Sequence, residues 1–166
     1  FAGGQGTPGN PYLIHTAEQL NKMRNYLSSH FILDNDIDLE EACSPGGLAY
    51  NSGAGWLPVG TETEADMFIG NFDGAGHTIS GLLINRPQTN FVGLFGRIGQ
   101  NATIKNVKLT NVNIYGNENT GGLAGQLNGL AGRITVQKVS VTGAVKGYHC
   151  TGGLLGSSYA SDISQT

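Results

Sequence analysis

The chain has 166 residues, enough for one domain with a substantial core. Glycine supplies 27 of them, charged residues 13% and hydrophobic residues 39%, a balance that is not disordered and that suits tight-turned β structure better than helices. The net charge of −3 excludes a basic stripe for nucleic acid, and no apolar run approaches the ~20 residues that span a membrane.

Residues 1–15 are rich in Gly and Pro, with an extended Pro11-Tyr12-Leu13-Ile14. The chain opens on Phe1 and shows no signal sequence, from which we expect an upstream segment to have been removed or left out. Thr16 followed three residues later by Gln19 is a capping box. Leu20, Met23 and Leu27 then recur at helical spacing, which predicts a helix over 17–28, the only good one in the chain. In the run 31–39, Phe31, Leu33, Ile37 and Leu39 alternate with Asp34, Asp36 and Asp38, which predicts a half-buried strand with carboxylates outward. Residues 40–55 read as a long loop rich in Gly, Ser and Asn. The segments 56–60 and 68–79 read as further short strands, with Gly74 and Gly76 allowing turns at positive φ.

From residue 91 the chain repeats. Gly93-Leu94-Phe95-Gly96, Gly122-Leu123-Ala124-Gly125 and Gly153-Leu154-Leu155-Gly156 recur about every 30 residues. Each precedes an isoleucine that opens a β-rich run: Ile104, Ile134 and Ile163. Val107 and Leu109, then Val112 and Ile114, form two alternating runs. A fixed period in this range is a solenoid signature, and a solenoid needs its open ends covered. The helix is the expected cover at the first end. The last repeat breaks off at Ile163-Ser-Gln-Thr166, so the parent protein is expected to be longer, or another chain to cover that end.

At these residues the chain resembles the secreted bacterial proteins with GLUG repeats, named for a glycine–leucine–any–glycine segment. The opening Phe1-Ala-Gly-Gly-Gln-Gly-Thr7, Pro11-Tyr-Leu-Ile14, Thr16-Ala-Glu-Gln-Leu20, Asp36-Ile-Asp-Leu39, Trp56-Leu-Pro-Val-Gly60 and Phe72-Asp-Gly-Ala-Gly-His-Thr-Ile-Ser-Gly-Leu82 carry the likeness over nearly the whole chain. The resemblance implies a right-handed parallel β-helix at the bacterial surface or outside the cell. Such modules occur in adhesin-like proteins and beside catalytic domains, including metallopeptidases that cleave immunoglobulin A. It supplies no catalytic residue to carry over.

The candidate sites are few. Asp34, Asp36 and Asp38 begin like an EF-hand loop, but Leu39 and Pro45 stand where that loop needs Gly and Glu, so no metal site is expected. Asp73 and His77 are the best acid/base pair, although nearby sequence holds no second carboxylate. Tyr115, Tyr148, His149 and Tyr159 fall near bends and could form a sugar platform or simply pack there; Tyr12, Tyr26 and Tyr50 are too scattered to judge. The glycine-framed segments lack a phosphate-loop lysine. Cys43 and Cys150 would pair only if brought within disulfide reach, and stacking by ~4.8 Å per repeat favours free thiols.

The sequence therefore reads as an all-β protein, a helix-capped right-handed parallel β-helix, with residues 1–30 as cap and 31–166 as coils. The expected function is a non-catalytic extracellular module for adhesion, glycan or protein binding, or spacing, without cofactor. Its expected partners are a glycan or protein, adjacent domains or further copies. The alternatives are a polysaccharide-degrading β-helix lyase or hydrolase, and a self-assembling filament subunit.

Overall fold

A computed structural model describes residues 1–61, 63–159 and 161–164, with the side chains of Glu64 and Ser164 excepted; the expected domain end at Thr166 lies outside them. The first half holds β1 (Tyr12–Ile14), α1 (Ala17–Lys22), β2 (His30–Leu33), β3 (Ile37–Asp38), α2 (Glu40–Cys43), β4 (Asn71–Asp73), β5 (Thr78–Ser80) and β6 (Leu83–Asn85). The second half holds β7 (Phe95–Ile98), β8 (Thr103–Tyr115), β9 (Glu118–Gly121), β10 (Ala124–Asn128), β11 (Ile134–Lys146), β12 (His149–Gly152), β13 (Leu155–Tyr159) and β14 (Ser161–Ser164). The protein belongs to the all-β class. Among the described residues, no helix is long and apolar enough to cross a membrane.

Every paired strand lies parallel to its neighbours. One sheet runs β1-β2-β4-β8-β11-β14, with β3, β5 and β6 attached to the same surface. A second runs β7-β10-β13, and a third joins β9 to β12. Phe95, Ala124 and Leu155 stand opposite one another, so the repeated Gly-Leu-x-Gly segments open the strands of the second sheet. The isoleucine equivalence needs a correction. Ile104 pairs with Val136, and Val136 with Ile163, whereas Ile134 faces Ser161. The second repeat is longer ahead of its strand, which displaces Ile134 by two residues.

The core is one aliphatic and aromatic column. On β8 the buried positions are Ile104, Val107, Leu109, Val112 and Ile114. Asn106 and Asn111, with φ of 55° and 52°, each add one residue in the left-handed region and turn the strand without exposing the next apolar side chain. That resetting explains the two alternating runs in the sequence. Phe31, Phe68, Phe95 and Phe72 form a chain of ring contacts at 4.9–6.2 Å along the column. Trp56 is fully buried, and its Nε1–H donates to the Leu94 carbonyl at 3.1 Å.

The six glycines of the repeated motif have no left-handed φ. Five of them, all but Gly153, are required by close approach. A Cβ at Gly93 would stand 2.7 Å from the Gly121 carbonyl oxygen, and one at Gly122 would stand 2.6 Å from that of Gly153. Both thus look toward the following pass of the chain. Gly96 abuts Gly60, Gly125 abuts Phe91 and Gly156 abuts Asn119, all in the preceding pass. Gly74 is another correction: Ala75 and Gly76 hold the positive φ there, and Gly74 is small because Asn106 lies against it.

At the first end, Thr16 caps α1 by accepting the Gln19 N–H at 3.3 Å, while Gln19 Oε1 accepts from His15 N–H at 2.7 Å. Leu20 and Met23 are buried. The helix is shorter than 17–28: it ends at Lys22 and continues as a 3-10 turn over Met23–Asn25. Tyr26 leaves helical geometry to set its ring edge-on to Phe1 and Tyr12, at 5.5 Å from each. Ala2 and Gly3 cover the outer edge of β1 through bonds with Leu13, and Phe1 stacks on Tyr12 at 4.2 Å. The run 31–39 is two strands broken at 34–36, although Phe31, Leu33, Ile37 and Leu39 are all buried. The expected loop 40–55 contains α2 and a 3-10 turn at Asn51–Gly53. Within α2, Cys43 is buried, which pushes its thiol up; Cys150 is exposed on β12, and both are free thiols.

Candidate functional site

The three aspartates after β2 act separately. Asp34 Oδ1 meets His15 Nδ1 at 3.0 Å. Asp36 Oδ1 accepts Thr78 N–H at 2.9 Å and lies 3.1 Å from His77 Nδ1. Asp38 Oδ1 accepts Glu40 N–H at 3.0 Å and Ser80 Oγ–H at 3.3 Å. The bond from Thr78, then that from His77, holds the Asp36 carboxyl below its ordinary value. These carboxylates join one pass to the next; among the described residues, no group of three or more Cys, His, Asp or Glu could hold a metal ion.

Asp73 and His77 are directed to different partners. Asp73 Oδ1 accepts from Ala75 N–H and Asn106 Nδ2–H, both at 2.9 Å, and Oδ2 meets Lys105 Nζ at 3.2 Å. Burial pushes Asp73 up, but the bonds from Asn106, Ala75 and Lys105 outweigh it and hold the carboxyl below its ordinary value. His77 instead meets Asp36. An ionised, triply bonded carboxylate is a poor proton donor, so this pair is built for turn structure.

Asp73 and Lys105 do line a groove of about 250 Å³ with Pro8, Pro11, His30 and Asn71. His30, Asn71, Asp73 and Lys105 stand in register on β2, β4 and β8. Thr103 N–H donates to Asn71 Oδ1 at 3.1 Å, which turns Asn71 Nδ2 toward His30 Nδ1 at 2.9 Å. In this arrangement the Asn71 amide donates and His30 Nδ1 accepts. This relay leaves no sign in the sequence, because its members are 41 and 32 residues apart and the first passes differ in length.

The aromatic residues divide. Tyr115 and Tyr148 line one groove of about 340 Å³ with Pro87, Gln88, Asn117 and Lys146. Tyr148 is 77% exposed and its ring meets His149 edge-on at 4.4 Å. Lys146 Nζ stands 4.7 Å from the centre of the Tyr115 ring, with the two residues directly paired in register. Tyr159 is elsewhere, on β13 opposite Asn128. Tyr12 and Tyr26 belong to the cluster around Phe1, and Tyr50 accepts backbone bonds from Gly53 and Gly55. The sequence reading missed Lys146, although its 31-residue distance from Tyr115 matches the repeat.

No family model matches the chain. It is 47% identical over 112 residues to a protein of Evansella cellulosilytica provisionally named a Gly-rich membrane protein, covering 66% of this chain and 12% of that one. It is 34% identical over 163 residues to Halomucin of Haloquadratum walsbyi, covering 96% of this chain and 2% of that one. The chain thus spans a small part of both relatives. Its structure is similar to the crystal structure of a protein from Bacteroides ovatus provisionally titled an immunoglobulin A1 protease, with a TM-score of 0.55 and 20% identity, over 96% of this chain and 66% of that one. That likeness concerns the fold alone.

Proposed function

We propose that residues 1–166 are a non-catalytic extracellular module of a bacterial surface or secreted protein: a right-handed parallel β-helix of the GLUG kind, serving adhesion, glycan or protein binding, or spacing. Residues 1–30 are its cap and 31–166 its coils. The observation that carries the reading is the parallel register of passes about thirty residues apart, shifted once between Val141 and Gly143, which builds a stiff body with long lateral faces. The names of the two relatives, a Gly-rich membrane protein and a halomucin, agree with a place at or outside the cell surface. The bonds that occupy Asp73 and His77 speak against the polysaccharide-cleaving alternative.

Incubating the chain with a polysaccharide panel and with an immobilised glycan array tests this. Retention without release of new reducing ends is expected. Cleavage that disappears in an Asp73→Ala, His77→Ala double variant would overturn it.

A second reading, self-assembly, is supported by the last strands. Among the described residues, β12, β13 and β14 each pair on one side only. Light scattering that stays monomeric at high concentration would dismiss it.

A further inference from the structure

We propose that the groove of Tyr115, Lys146 and Tyr148 binds an acidic oligosaccharide, with Lys146 facing the anionic group of the sugar, a carboxylate or a sulfate. This rests on the glycan-binding form of the function proposed above.

The groove offers three different contacts. Tyr148 presents an open ring, a surface for the apolar face of a pyranose. Asn117 Nδ2 donates to Asn90 Oδ1 at 2.9 Å, which leaves the Asn117 Oδ1 to accept from a sugar hydroxyl. Lys146 supplies a cation held over Tyr115.

The cation decides the ligand class. Lys105, in the groove beside Asp73, is already neutralised at 3.2 Å. Lys146 has no carboxylate within ion-pair distance among the described residues, and Glu118, next to Asn117, makes no ion pair with it. The molecule as a whole carries −3. An anionic ligand is therefore disfavoured over most of the surface and favoured at Lys146. An ammonium is a point charge, so it accepts carboxylate and sulfate alike.

The floor is fixed before any ligand arrives. Gly116 N–H donates to the Lys146 carbonyl at 2.9 Å, Asn117 N–H to that of Thr89 at 2.9 Å and Tyr148 N–H to that of Asn117 at 2.8 Å. Binding then orders only the side chains.

The test is calorimetric titration of the whole chain with three octasaccharides: galacturonic acid, a sulfated chain and uncharged galactan. The acidic chains should bind about tenfold tighter than galactan, with the difference shrinking as salt rises. Lys146→Gln should erase that preference and Lys146→Arg retain it. Tyr148→Ala should weaken all three roughly three- to tenfold. Lys108→Gln, an exposed lysine outside the groove, should change nothing. Both groove side chains are exposed, so the variants should melt with the parent. Equal affinity for acidic and neutral chains, or a preference that survives Lys146→Gln, would overturn the inference and leave glycan binding standing. No binding of any chain would remove both. The tighter of the two acidic probes identifies the anionic group.

Discussion

The pass that begins at Gly122 and the one that begins at Gly153 carry the same motif in different surroundings. Leu123 is fully buried, whereas Leu154 is only partly buried at the core's edge. A Cβ at Gly122 would crowd Val141 at 2.5 Å and the Gly153 carbonyl at 2.6 Å; among the described residues, one at Gly153 would meet nothing within 4 Å. The difference teaches what the glycine frame is for. Its first glycine makes room for the following pass and its last for the preceding one, so the motif records stacking and not turn conformation.

Two pairs of substitutions sharpen this contrast. Leu123→Ala should cost about 2–5 kcal/mol and Leu154→Ala less than half as much, read by urea denaturation. Equal losses would mean that the two passes are equally packed. Next, Gly122→Ala should cost roughly 1–3 kcal/mol, while Gly153→Ala should stay within about 0.5 kcal/mol. If the molecule self-assembles through β12, β13 and β14, Gly153→Ala should lower the light scattering at high concentration without shifting the melting temperature of the dilute protein.

A second contrast separates the first half from the repeats. There, carboxylates on Asp34, Asp36, Asp38 and Asp73 tie the passes together; in the repeats the carboxylate tie is the exposed Asp162–Arg133 pair at the last strand, and β8 and β11 are joined by backbone ladders and aliphatic packing. Asp36 and Asp73 both have carboxyls held below the ordinary value by the bonds they accept. Their contribution is therefore complete above the unfolded value of about 3.9 and is lost as pH falls through the lower folded value. Acid below about pH 4 should raise amide exchange around 34–38 and 73–80 before it does so in β8 and β11. Asp73→Asn should lower stability at neutral pH and flatten the acid dependence in this half. A uniform acid response along the chain would refute the contrast.

What the sequence disclosed follows the same division. The repeats were legible because burial there runs in short alternating stretches reset at the corners, and these stretches recur from pass to pass. The helix start was legible because Thr16 and Gln19 are local. The helix end was not, since Tyr26 is drawn away by the Phe1–Tyr12 stack. The candidate sites were least legible. Asp73 and His77 are close in sequence yet bond to Lys105 and Asp36, and the latter is 41 residues from His77. Lys146 could have been found by stepping one repeat from Tyr115. His30 could not, because the insertion between 40 and 70 breaks the period.

The smallest expected effect concerns the corners. Asn106 and Lys138 occupy the same bend in adjacent passes, each in the left-handed region, with φ of 55° and 51°. Asparagine tolerates that conformation better than a long side chain does, because its amide can bond locally to backbone. Lys138 is exposed and takes part in neither groove, so its ammonium offers little in return for the strained backbone. Lys138→Asn should therefore stabilise the chain by about 0.5–1 kcal/mol, visible as a small rise in melting temperature. Asn106→Lys should do the reverse and cost more than the other change gains, since Asn106 also donates to Asp73. If both substitutions were neutral, the left-handed corners would be set by the ladders on either side and not by the residues that occupy them.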